Sequence, residues 1–278
     1  MQVQLTEDLV RSILPNTIIP VDEEIPRSER IAPYFAESFD WLTSHLLGDT
    51  EFDTYPVIMG LAIRAALYDA VADALPSLDL VVTPTGLGVV SSEGLVPASK
   101  ERIERLIQSL RDNRDTTIIL LQQRCVGCRQ WRESEIGQYF CSSFIPFLSD
   151  IPIVPGQDIF DAYDLARGIA IRFEALLSES YLGMEFMSEF RDGFFAGDYN
   201  TSHPVVAALR SEVRRAVHRH LTDKNYVCPN DHEVWHAAEN ILRIVRQDPN
   251  LSALWHRSTE GRFDVTPFKN TRKGGYFF

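Results

Sequence analysis

Cysteine is scarce in this chain: Cys125, Cys128, Cys141 and Cys228 are the four present in 278 residues. So few exclude a disulfide-dense scaffold, and in a reducing compartment they are expected as free thiols. Cys125 and Cys128 form a lone C-x-x-C with no second pair at zinc-finger spacing. A structural zinc would have to borrow Cys141 and a distant fourth ligand, so a helix end with small residues is the simpler reading. No stretch approaches the run of about 18 apolar residues that a membrane helix needs. The start, MQVQLTEDLV, has no cationic segment followed by an apolar core, so no secretion signal is expected and assembly in a cytoplasm is. A Gly-Lys-Ser/Thr phosphate loop, a dinucleotide fingerprint and a Gly-x-Ser-x-Gly elbow are all missing. The glycine-rich TPTGLGVVSSEG is read as a hairpin between helices rather than a phosphate cradle.

Positive charge is short as well. The net charge is −12, and it is unevenly spread: residues 1–202 carry 15 basic against 31 acidic side chains, residues 203–278 carry 12 against 8. An acidic body does not grip phosphates, which takes clustered cations. It suits a surface that DNA slides past. What the chain does have is a folded composition, 45% hydrophobic and 24% charged, with enough length to bury a sizeable core.

Helical periodicity dominates. IAPYFAESFDWLTSHLLG sets Phe35, Phe39, Leu42 and Leu46 on one stripe and stops at Gly48. YPVIMGLAIRAALYDAVADALP is Ala-rich and predicts a helix ending at Pro76. LDLVVTPTGLGVVSSEGLVP is β-branched and broken by Gly86, Gly88 and Gly94, which predicts a hairpin. A helix then opens near Pro97, with Ile103, Leu106, Ile107 and Leu110 as its apolar face. WRESEIGQYFCSSFIPFLSDIPIVPGQ reads as an irregular junction. Helices resume in the second half. There Phe186, Phe190, Phe194 and Phe195 are expected in the core, and RSEVRRAVHRH is a basic face, solvated or turned toward acidic neighbours.

The halves resemble each other. GDTEFDTYPVIMGL, from Gly48, runs parallel to GDYNTSHPVVAAL, from Gly197, pairing Pro56 with Pro204 and Leu61 with Leu209. VPASKERIERL parallels CPNDHEVWHAAENIL, pairing Pro97 with Pro229. The expected fold is therefore mainly α, a helical bundle of two tandem related halves with a β-hairpin inserted between helices of the first. The first repeat spans 1–128 with the hairpin at 78–96, an irregular junction 129–157, the second repeat 158–262, and an extended tail 263–278.

One stretch carries a catalytic spelling. In DHEVWHAAENILRIV, His232 and His236 stand one helical turn apart and Glu233 follows the first, as in zinc peptidases. A zinc-dependent hydrolase using these three residues is the alternative function. Three features weigh against it. Glu239 and Leu242 occupy the places of the glycine and third histidine that would complete one ligand set. The apolar stripe Val234, Trp235, Ala238, Ile241, Leu242 and Val245 leaves both histidines on the polar face with Glu239. The parallel segment of the first half holds no ligands. No metal, cofactor or catalytic residue is expected.

The run LPSLDLVVTPTGLGVVSSEGLVPASKERIERLIQSL, with the start LTEDLVRSILPN and the end FKNTRKGGYFF, resembles a phage and prophage family of largely uncharacterised members. In outline the chain is also similar to the head–tail connector (adaptor) proteins of tailed phages. That resemblance implies a helix bundle with an inserted β-element, assembled as a ring beside the portal in the neck of the virion. It implies as partners copies of the same chain, the portal and tail or neck proteins, with genome DNA passing unbound and no membrane contact. The parts that would reach a neighbour are the hairpin, through Leu80, Val82, Leu87, Val89 and Val90, and the tail, through Phe268, Tyr276, Phe277 and Phe278, by strand addition or anchoring in a groove.

Overall fold

The computed structural model describes residues 5–14, 27–52, 55–78, 80–83, 86–89, 100–152, 157–223 and 231–262. It is mainly helical, and the chain divides into two compact units. Unit 1 is drawn from Met1–Phe140 and Phe147–Ser149, unit 2 from Cys141–Pro146 and Asp150–Phe278.

Unit 1 is built on three long helices: α2 (Arg27–Leu42), α3 (Pro56–Leu78) and α4 (Lys100–Gly127), with the short α1 (Glu7–Ile13) against α2. α3 packs on both α2 and α4, and its sequence explains why it takes the central place. Ala62, Ala65, Ala66, Ala70, Ala72 and Ala74 are all buried together with Ile58, Leu67 and Val71. A helix that is apolar on nearly every side has to be covered on more than one, and small side chains let its neighbours approach closely. The expected stripe Phe35, Phe39, Leu42 and Leu46 is buried. α3 does not stop at Pro76 but continues to Leu78; a proline in the last turn breaks only one backbone bond and need not end the helix there. Between α3 and α4, β1 (Leu80–Thr83) and β2 (Gly86–Val89) pair antiparallel, Leu80 opposite Val89 and Val82 opposite Leu87. The rest of the hairpin segment, 90–96 with Val90, lies outside the described residues.

The stretch after α4 is not irregular throughout. It forms α5 (Arg129–Glu133) and α6 (Glu135–Phe140), and Trp131, Phe140, Phe144, Ile145 and Leu148 are all buried. Helices this short carry no period for a pattern to reveal; tertiary burial holds them.

Unit 2 consists of α7 (Ile159–Leu177), α8 (Met184–Ala196), α9 (Pro204–Thr222), α10 (Asp231–Val245), α11 (Pro249–Trp255) and α12 (Thr259–Arg262). Asp158 caps α7, its carboxylate accepting from the N–H groups of Phe160 and Asp161 at 2.8 and 3.2 Å, and Asp248 caps α11 in the same way. α7, α9 and α10 pack on one another. Phe186, Phe190 and Phe194 are buried as expected, whereas Phe195 is only partly buried. The basic face of α9 does turn toward acids. Arg210 grips both oxygens of the buried Asp150 at 2.6 and 2.9 Å, and Arg214 joins from the rim.

Each unit contains a tight corner of the same construction. In unit 1, α2 widens into a π turn over Thr43–Leu47, closed by Gly48 at φ 63°. In unit 2, α7 widens over Ser178–Leu182, closed by Gly183 at φ 88°. Against the first turn lies Trp131-x-x-Ser134-x-x-Gly137, and against the second Trp255-x-x-Ser258-x-x-Gly261. Ser134 Oγ donates to the Trp131 carbonyl at 2.7 Å and accepts from Gly137 N–H at 3.1 Å. Ser258 Oγ does the same with Trp255 and Gly261 at 2.6 and 3.1 Å. The glycines are needed because the chain folds back on itself: a Cβ at Gly137 would lie 1.7 Å from the Trp131 carbonyl oxygen, and one at Gly261 2.0 Å from that of Trp255. Gly48 thus has its geometric counterpart in Gly183. The expected pairing of Gly48 with Gly197 joins unlike places, since Gly197 is the left-handed cap of α8 at φ 96°.

Candidate functional site

The one place where the sequence put catalytic residue types together lies on unit 2, between α9 and α10. α9 presents Glu212, Arg215 and Arg219 at intervals of three and four residues, so they share a face. α10 presents His232, Glu233 and His236 toward the same space, and Phe173 of α7 lines it too. The result is a cleft of about 370 Å³. It adjoins a wider groove lined by His236, Glu239, Asn240, Arg243 and Arg246.

The burial pattern of α10 fixes this orientation. Val234, Ala237, Ala238, Ile241 and Val245 are at most 2% exposed, while His232, His236 and Glu239 are on the exposed side. Trp235, expected in the apolar stripe, is 43% exposed, and Ala237 takes the buried position. The Trp235 indole flanks the histidines instead, its ring centroid 4.7 Å from that of His236 and 6.2 Å from that of His232.

The chemistry of the cleft is set by how its charges are committed. Glu233 forms an ion pair with Arg219. Glu212, nearly buried, accepts from Arg215 at 3.1 Å and from Asn240 at 3.0 Å. Both carboxylates are therefore held by cations or amides. The two histidines meet each other: their Nε2 atoms are 3.2 Å apart, with ring centroids at 4.2 Å and planes at 81°. A zinc peptidase asks for a third protein ligand and a carboxylate free to polarise water. Among the described residues no group of three His, Cys, Asp or Glu side chains is placed to hold a metal, and Glu233 is engaged by Arg219.

Elsewhere two buried titratable groups stand out among the described residues. Burial pushes the Cys125 thiol up to about 12, with the neighbouring Cys128 adding to the effect, so Cys125 is an inert core thiol. Cys125 and Cys128 are both buried as unbridged cysteines at the end of α4; Cys228 lies outside the described residues. Glu174 of α7 is 5% exposed, and its Oε1 accepts from Ser143 Oγ at 2.7 Å and Phe144 N–H at 2.9 Å. Desolvation raises it to about 7, against the opposing pull of those two donors and of Arg191. Nothing in the local pattern marks this group, because a glutamate on an amphipathic helix normally faces water.

The positions expected to reach partners fall differently. Register brings Leu80, Val89, Val82 and Leu87 together as two cross-strand pairs. Phe268, Tyr276, Phe277 and Phe278 lie outside the described residues. Among the described helices none is long and apolar enough to cross a membrane.

No curated protein and no solved structure matches this chain. Residues 35–134, from α2 through the first corner to Ser134, are similar to a protein family of unknown function, DUF6712.

Proposed function

We propose that this chain is a structural component of a tailed-phage virion, a head–tail connector or neighbouring neck protein that assembles as a ring beside the portal. The observation that carries the reading is the β1–β2 ribbon set between the two longest helices of unit 1. A two-stranded ribbon is marginal in water by itself, and each of its strands has an outer edge that pairs with no third strand among the described residues. Strand addition from an adjoining copy would complete it. Resemblance of the surrounding sequence to phage proteins supports the same conclusion, as does the acidic first part of the chain, which repels DNA phosphates rather than holding them. In this reading the chain works by packing rather than turnover, needs no cofactor, and resides in the virion after assembly in the host cytoplasm.

The finer architecture belongs to the same proposal: units 1 and 2 are related halves. The repeated sequence is Leu-[Thr/Ser]-x-x-x-Leu-Gly, at Leu42–Gly48 and Leu177–Gly183, followed by Trp-x-x-Ser-x-x-Gly, at Trp131–Gly137 and Trp255–Gly261. Pro56 and Pro204 each open the helix that packs on the widened one. α8 is then an addition peculiar to the second half.

Gold-labelled antibody against the chain, imaged on purified particles, tests the assignment. Label at the neck is expected. Particles without label that also lack the chain by mass spectrometry would contradict it.

A further inference from the structure

We propose that His232 and His236 form a two-ligand site for a borderline divalent transition-metal ion, zinc being the natural occupant. This inference stands independently of the assembly reading and is not the peptidase site that the spelling implies.

The argument is geometric. Two zinc–nitrogen bonds of about 2.05 Å meeting at about 100° place their nitrogens about 3.1 Å apart, and at a tetrahedral angle about 3.3 Å apart. The Nε2 atoms of His232 and His236 are separated by 3.2 Å, within that span. The helix supplies the spacing: residues at i and i+4 lie one above the other on one face, so both rings reach the same point. Without an ion, one Nε2–H donates to the other Nε2 across a gap longer than the usual nitrogen hydrogen bond. A divalent ion between them would take a lone pair from each Nε2, the donor ring shifting its proton to Nδ1. Imidazole suits zinc, nickel and copper over magnesium or calcium, which take oxygen ligands.

The surroundings decide what kind of site it is. Glu233 is drawn to Arg219, and Glu212 to Arg215 and Asn240. The carboxylates therefore stay out of the ligand set, and the guanidinium groups lower the affinity for a cation. The ion would keep two or more coordination positions for water. Those positions face a cleft that also holds two arginines, so a carboxylate or phosphate oxygen is the ligand class that fits there, taking one bond from the metal and hydrogen bonds from Arg215 or Arg219.

Titration calorimetry of the full chain with zinc chloride, in buffer free of chelator, tests the assignment. The expected result is one zinc per chain, bound at least about tenfold more weakly by either His232→Ala or His236→Ala, and within about threefold of the parent by Glu233→Gln. Both histidine side chains lie on the exposed side of α10, so circular dichroism of the variants should match the parent. No saturable binding, or binding equally strong in the two histidine variants, overturns the site. A tenfold loss in Glu233→Gln overturns the two-histidine ligand set. Nickel chloride run in parallel should compete for the same site; two independent sites would contradict it.

Discussion

The corner of unit 1 and the corner of unit 2 share a backbone plan and differ in how completely their polar groups are satisfied. In the first, the Trp131 indole N–H donates to the Leu46 carbonyl at 2.7 Å and Ile136 packs over Gly48. In the second, Trp255 Nε1 is buried without a hydrogen-bond partner, and Glu260 stands where Ile136 does, with its Oε2 buried and unpartnered over Gly183. Nine residues before the closing glycine the same contrast recurs: the first unit has the buried Phe39, the second the buried Glu174. One backbone device therefore tolerates an apolar or a polar lining. The polar version carries a stability cost, because buried polar groups lose water without full replacement. The corner of unit 2 thus has the more polar lining of the two.

The strongest way to break the comparison is at its shared glycines. Gly137→Ala and Gly261→Ala should each destabilise by more than about 3 kcal/mol, or prevent folding, because the new Cβ would meet backbone rather than a movable side chain. Gly168→Ala in α7, with open space around the added carbon, should instead be neutral or stabilising by up to about 1 kcal/mol. Urea denaturation followed by circular dichroism compares the three. Equal losses at all of them would dissolve the idea of a special corner.

Next in size is Glu174. The unfolded chain ionises it near its ordinary 4.5, while the folded chain keeps its proton up to about 7. Its contribution to stability is therefore fully present below about pH 4.5 and declines as pH rises toward 7. That difference corresponds to on the order of 3 kcal/mol. Glu174→Gln keeps an oxygen to accept from Ser143 and Phe144, and should flatten this part of the stability–pH curve. Parallel curves for the two proteins between pH 4.5 and 7 would show that the carboxyl is ionised in the fold.

Smaller effects separate the two tryptophans. Trp131→Phe strands the Leu46 carbonyl in the interior and should cost about 2 kcal/mol. Trp255→Phe deletes an N–H with no partner and should cost about 1 kcal/mol less, a difference that paired urea curves resolve. Finally, Glu260→Ile copies the first corner into the second and should add about 1 kcal/mol; a loss of stability would mean that Glu260 has a favourable role the corner geometry does not explain.

Much of the helical framework was legible in the sequence, because 3.6-residue periodicity reports burial directly. Phe35, Phe39, Leu42 and Leu46 and the α10 stripe are examples, with Trp235 the exception. The corners were not read, although both tryptophan motifs are in plain view. Their helices are too short to show a period, and matching Gly-Asp at Gly48 with Gly-Asp at Gly197 concealed the correspondence with Gly183. The histidine pair was visible as spelling. That α9 would set Arg219 against Glu233, and Arg215 against Glu212, depends on tertiary placement that no local pattern encodes. Glu174 was hidden for the same reason: its partners Ser143 and Phe144 lie about thirty residues earlier.

The proposal that this chain acts by assembling with itself is tested most directly by sedimentation velocity of the purified full-length protein over a wide concentration range. The account predicts a closed oligomer of a single size that dissociates when a proline at Val82 blocks strand pairing. A protein that remains monomeric at the highest concentration would contradict it.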